Sequence, residues 1–116
     1  MLPRKAVKME REEVVFKKEK GLVSAKILCE LDHHTAKRVR ERIDTELFLE
    51  KPNVLELDFS DVRFMDSSGL ALILGRAECA AVVGARVHLL GLSPTLMKLV
   101  KLGGIEKIKN LTVSAG

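Results

Sequence analysis

Val54-Leu55-Glu56-Leu57-Asp58-Phe59, followed by Ser60-Asp61-Val62-Arg63-Phe64-Met65-Asp66 and then Ser67-Ser68-Gly69-Leu70-Ala71-Leu72-Ile73-Leu74, is the stretch that decides the fold. Leu55, Leu57 and Phe59 alternate with polar neighbours, so one face of an extended segment is apolar and the segment reads as a strand. Past the polar loop the period lengthens. Leu70, Ile73, Leu74, Ala77 and Ala81 recur at helical steps, and Gly84 is a natural C-terminal stop. Arg86-Val87-His88-Leu89-Leu90 then supplies a second strand, so strand, helix and strand follow in succession. That order predicts a parallel pair joined by a right-handed crossover, with the helix covering the sheet.

The same grammar extends in both directions. Upstream, Val14-Val15-Phe16 and the run Leu22 to Leu31 are rich in β-formers and are separated by Glu19-Lys20-Gly21, a hairpin turn signal. From about His34, the residues Ala36, Val39, Ile43 and Leu47 form one apolar stripe among Lys37, Arg38, Arg40, Glu41 and Arg42, which predicts an amphipathic helix. Asp32 and Thr35 both suit its start, and Pro52 keeps residue 51 out of the helical region. Downstream, Ser93-Pro94 opens a third helix with Leu96, Leu99 and Val100 inward. Gly103-Gly104 closes it, and Ile105 to Val113 offers one more short strand. The expected class is therefore α/β, a mixed sheet with helices packed on it, in the order β-β-α-β-α-β-α-β.

Composition narrows the function. The chain has 116 residues, 47% hydrophobic and 31% charged, enough apolar material for one core. Four Phe, no Trp and no Tyr make a poor supply for a base-stacking surface. The net charge of +4 is uneven: residues 1–20 carry seven basic and four acidic side chains, 21–74 seven and ten, 75–116 six and two. The basic ends leave open a binder of nucleic acid or another acidic surface, which steeply salt-dependent DNA binding would reveal; none is expected. Residues 1–12 read as a flexible basic arm and 13–116 as a single domain. No apolar run approaches the roughly 20 residues of a membrane span, and no signal peptide is evident, so a cytoplasmic location without membrane contact is expected.

Candidate chemistry is sparse. Cys29 and Cys79 lie far apart without C-x-x-C spacing and read as free, buried thiols. His33 and His34 are adjacent and diverge by about 100° on a helix, which argues against a metal site. Phosphate-cradling glycine loops and a G-x-S-x-G elbow are missing, so no catalytic, cofactor-binding or metal-binding residues are assigned and no enzyme is expected. The segment Phe64 to Leu70 stands out because it joins a loop to a helix start. Asp66 or Ser67 there is an N-cap and Gly69 eases the turn. The same place also suits a phosphorylation switch, since a phosphate adds about −1.5 to −2 charges where free N–H groups and the helix dipole accept an anion.

Glu30-Leu31-Asp32-His33-His34-Thr35-Ala36 together with Phe64-Met65-Asp66-Ser67-Ser68-Gly69-Leu70 resembles the STAS-domain anti-sigma factor antagonists, most closely those of the sporulation sigma-F pathway. Ile73-Leu74-Gly75-Arg76 and Ser93-Pro94 fall at matching distances, and the likeness runs from about residue 13 to 113. Cys29 stands where the sporulation-type motif usually has Gly. The resemblance implies a STAS-like fold and a partner switch. The unphosphorylated form binds an anti-sigma factor that is also a serine kinase, which releases the sigma factor. The kinase phosphorylates the first Ser of the motif, Ser67, and a PP2C-type phosphatase resets it. Spacing alone does not choose between Ser67 and Ser68; the resemblance chooses Ser67. Asp32, Asp66, Ser68 and Gly69 are then expected on the partner-binding rim, Asp32 as N-cap, direct contact or both. A STAS module in a stress-response or other partner-switching complex is the alternative circuit.

Overall fold

The computed structural model describes residues 12–114. Five strands form one sheet in the spatial order β1-β2-β3-β4-β5, namely β1 (Val14–Glu19), β2 (Leu22–Ile27), β3 (Val54–Asp58), β4 (Arg86–Leu90) and β5 (Leu111–Val113). The hairpin β1–β2 is antiparallel and turns at Gly21, whose φ of 76° suits a residue without a Cβ. All later pairings are parallel, so the sheet is mixed as expected. The crossovers carry α1 (His33–Glu50), α2 (Ser67–Val82) and α3 (Pro94–Leu102).

Alternation makes the sheet one-sided. Val23, Ala25, Ile27, Leu55, Leu57, Val87 and Leu89 are buried in one core with the apolar stripes of the helices. The register places Ser24, Glu56 and His88 in a row on the opposite face. On α1 the buried residues are the four expected ones, Ala36, Val39, Ile43 and Leu47. The helix ends at Glu50, and Lys51 takes a left-handed conformation ahead of Pro52. Charged contacts tie α1 to the edge of the sheet: Arg38 grips Glu13 with two nitrogens at 2.9 and 2.6 Å, and Lys18 meets Glu46 at 2.8 Å.

Several expectations need correction. The second strand stops at Ile27, because the chain leaves the ladder there; Leu31 rejoins it as an isolated bridge. The short strand expected within Ile105 to Val113 is present but confined to Leu111–Val113, which pairs with β4, while Ile105–Lys107 forms a 3-10 turn. The inward face of α2 is also rotated from the expected one. Leu72, Ile73, Arg76, Ala77 and Ala80 are buried, whereas Leu74 is 41% exposed and Ala81 is exposed. The arm expected over 1–12 lies outside the described residues except for Glu12, which meets Arg42 at 3.3 Å.

On this rotated face lies Arg76, only 4% exposed. Its Nε lies 2.8 Å from Asp44 Oδ1 on α1, so an ion pair ties the two helices together. The approach is a charge contact without hydrogen-bond alignment, and Nη1 has no partner among the described residues. Burial pushes the Asp44 carboxyl up, while Arg76 and Arg40 draw it down. With the net direction upward, this carboxyl favours the folded state less as pH rises through its folded-state pKa. Removing one partner strands the other charge. Asp44→Ala should therefore cost about 2 kcal/mol, discounted from the fully buried case because the Asp44 side chain is 29% exposed. Adding Arg76→Met should recover part of that loss in urea unfolding; strictly additive losses would show that the two groups do not interact.

Candidate functional site

Leu31 and Met65 form a parallel bridge in which Leu31 N donates to Phe64 O and Asp66 N to Leu31 O, each at 3.1 Å. The next residue on each chain is a helix N-cap, so the bridge sets the starts of α1 and α2 beside each other. Asp32 caps α1: its Oδ1 accepts from His34 N at 2.9 Å and Thr35 N at 3.0 Å. Thr35 Oγ1 accepts in return from Asp32 N at 3.0 Å and donates to Glu30 O at 2.6 Å, a capping box closed by Thr. Thr35 is therefore the third helical residue and Asp32 the cap. The Asp-x-x-Thr spacing is the sequence signal for this pair.

Asp66 caps α2, its Oδ1 accepting from Ser68 N at 2.8 Å. Of the two cap candidates, Asp66 holds the place and Ser67 is the first helical residue. The side chain of Ser67 is exposed, and no hydrogen bond holds its hydroxyl among the described residues. Ser68 is half-buried. Gly69 is buried and serves a different purpose from the expected one: it lies inside the helix rather than at a turn, and a Cβ there would stand 2.7 Å from both Cβ and Sδ of Met65. Phe64, 51% exposed, flanks the same turn.

Asp32, Asp66, Ser67, Ser68 and Gly69 are thus gathered by one bridge at the ends of β2 and β3. Two helix N-termini add positive potential there, and each is met by one aspartate. The N–H groups of Thr35 and then His34 hold the Asp32 carboxyl below its ordinary value. Cys29, at the approach to the first motif, is half-buried and packs against the core; burial is the main cause that pushes its thiol up, so it behaves as a packing residue. Among the described residues no group of three or more His, Cys, Asp or Glu is placed to hold a metal, and no helix is long and apolar enough to cross a membrane. Sequence reading missed the backbone bridge, which joins distant segments and has no local signal, and the Met65–Gly69 contact, which lies four residues apart but depends on the helix beginning at Ser67.

Two outcomes check this geometry. Gly69→Ala gains helix propensity but forces Met65 Cβ to move, so it should lower stability by about 1–3 kcal/mol, whereas the exposed Ser67→Ala should stay within about 0.5 kcal/mol of wild type. A thermal melt that ranks them the other way would contradict the assignment of Asp66 as the cap. The second concerns Asp32. A carboxyl lowered in the folded state adds stability that is complete above its unfolded pKa, about 3.9, and is lost as pH falls through the folded-state value. Asp32→Asn should therefore be less stable than wild type at pH 7, and the two should converge on acidification below about pH 4. A difference independent of pH would assign the effect to packing.

Residues 14–114 match the STAS domain family. Among relatives, an anti-sigma F factor antagonist of Lysinibacillus sphaericus is 34% identical over 83 residues, covering 72% of this chain and 71% of that protein. An anti-sigma-B factor antagonist of Listeria monocytogenes is 32% identical over 80 residues, 68% of each. The structure of the unphosphorylated anti-sigma factor antagonist SpoIIAA superposes with a TM-score of 0.68 at 29% identity, covering 89% of this chain and 88% of that one. The phosphorylated form of the same Bacillus protein gives 0.67 at 29% identity, covering 88% and 91%. With its mixed five-stranded sheet, three helices and a family match spanning nearly all the described residues, the chain belongs to the STAS domain family.

Proposed function

We propose that this protein is an anti-sigma factor antagonist switched by phosphorylation of Ser67. The observation that carries the reading is the exposed, untethered Ser67 hydroxyl in the first turn of α2, beside a second helix start. It is supported by relatives named as antagonists of anti-sigma F and anti-sigma-B factors and by a similar protein solved in unphosphorylated and phosphorylated forms. In this reading the unphosphorylated rim binds an anti-sigma factor with serine kinase activity and frees the sigma factor. Asp32, Asp66 and Ser68 shape the docking turn, while Gly69, buried within α2, seats the first turn of that helix on Met65. The chain is the substrate and contributes no catalytic residue. Ser67 Oγ forms a bond to the γ-phosphorus of the kinase's ATP, the bond to the β–γ bridging oxygen breaks, and ADP and the hydroxyl proton leave. A PP2C-type phosphatase hydrolyses the ester and restores the starting state.

The switch is electrostatic. The ester carries about −1.5 to −2 charges next to Asp66, and a partner seated on the turn must desolvate both. A penalty of about 2.7 kcal/mol lowers affinity a hundredfold. The sigma-F circuit is favoured by the two motifs; the sigma-B relative supports a stress-response circuit as the second reading. An adjacent gene for a kinase and sigma factor of one type decides between them.

Incubation with the serine-kinase anti-sigma factor of the same genome and MgATP should add about 80 Da, one phosphate, mapped by tandem mass spectrometry to Ser67. Ser67→Ala should abolish the gain and Ser68→Ala should keep it. Binding measured by calorimetry should fall about a hundredfold after modification. A phosphate on another residue, or unchanged affinity, would falsify the reading.

A further inference from the structure

The geometry points to the groove between the first halves of α1 and α2 as the seat of an acidic segment of the same partner that reads Ser67. This rests on the function proposed above and adds the chemistry of the partner's contact. The groove encloses about 770 Å³, with Lys37, Arg40 and His34 on the α1 wall and Ser68, Ala71 and Leu72 on the α2 wall. Most charges of α1 are already used: Arg38 is held by Glu13, Arg42 meets Glu12, and Asp44 is met by Arg76 at 2.8 Å. Lys37 and Arg40 enter no ion pair among the described residues. Glu41 is the only carboxylate among the lining residues, so the groove keeps a net positive charge inside a sequence segment whose total is negative.

The occupant follows from exposure and continuity. Both cations are exposed, so a small anion resting on them would stay in water, unlike a ligand enclosed by its site. A protein segment laid along the groove would cover Ala71 and what remains open of Leu72 while pairing carboxylates with Lys37 and Arg40. Ser68 lines the groove and is the neighbour of Ser67, so a partner that grips Ser67 lies over this mouth. Charge across such a contact sets the rate of encounter and the choice between similar partners. The groove would therefore contribute to the choice among anti-sigma factors.

The test is calorimetric titration of the full-length protein with the purified serine-kinase anti-sigma factor of the same genome in ADP, at several NaCl concentrations. Wild-type affinity should fall with salt. Lys37→Glu with Arg40→Glu should weaken binding at low salt by about tenfold or more and flatten the salt dependence. Lys107→Glu with Lys109→Glu makes the same charge change elsewhere on the chain and should stay within about twofold of wild type. Matching thermal melts establish that the variants are folded. Equal binding by wild type and the α1 variant overturns the inference while leaving the proposed function standing, as does an equal loss in the control variant. Competition by inorganic pyrophosphate at the groove would assign it to a small anion and likewise overturn it. No binding by the wild type brings down the proposed function and this inference with it.

Discussion

The structure turns on one backbone bridge, Leu31 to Met65. The β2–β3 ladder ends at the Lys26–Asp58 pair, and both chains then leave the sheet. Two hydrogen bonds of 3.1 Å bring them together again immediately before their helices begin. Buried backbone N–H and C=O groups must find partners, and here the partner is a segment more than thirty residues away, as the numbers 31 and 65 show. Because each N-cap follows its bridge residue directly, the bridge fixes the position of both helix starts at once. Gly69 belongs to the same arrangement, since the first turn of α2 rests on Met65 with no room for a Cβ.

The electrostatics of the rim follow from that placement. Each helix start presents unpaired N–H groups, and Asp32 and Asp66 each satisfy part of one set through their Oδ1 atoms. The hydroxyl of Ser67 is left out of this economy. That hydroxyl caps neither helix, because Asp66 holds the place of the cap. Further along, Arg76 and Asp44 hold α1 and α2 together below the rim, so the two helices are one unit. The groove between them inherits its charge from the cations of α1 that neither β1 nor its flanking carboxylates neutralise.

The elements were legible where their signal is local. The alternation in Val54–Asp58 and Arg86–Leu90, the stripe of Ala36, Val39, Ile43 and Leu47, and the Ser93-Pro94 start all reflect how each segment meets one core. The reading failed where a distant group decides. Arg76, absent from the expected inward face of α2, is buried beside Asp44, whereas Leu74, expected inward, is 41% exposed. The stretch from Ile105 to Val113 offers one short strand in sequence without a place for it, and the sheet gives it a neighbour only at Leu111–Val113.

The amino-acid order by itself determined the succession of strands and helices, the polar outer and apolar inner faces of α1, and the short motifs that carry the family likeness. These depend on residues within a few positions of one another, whose spacing fixes which side chains share a face. Only the tertiary structure decided that the helices capped by Asp32 and Asp66 start side by side, and that a basic groove opens beside Ser67. Each of those depends on a contact between segments remote in the chain, and such contacts exist only once the sheet has brought their ends together.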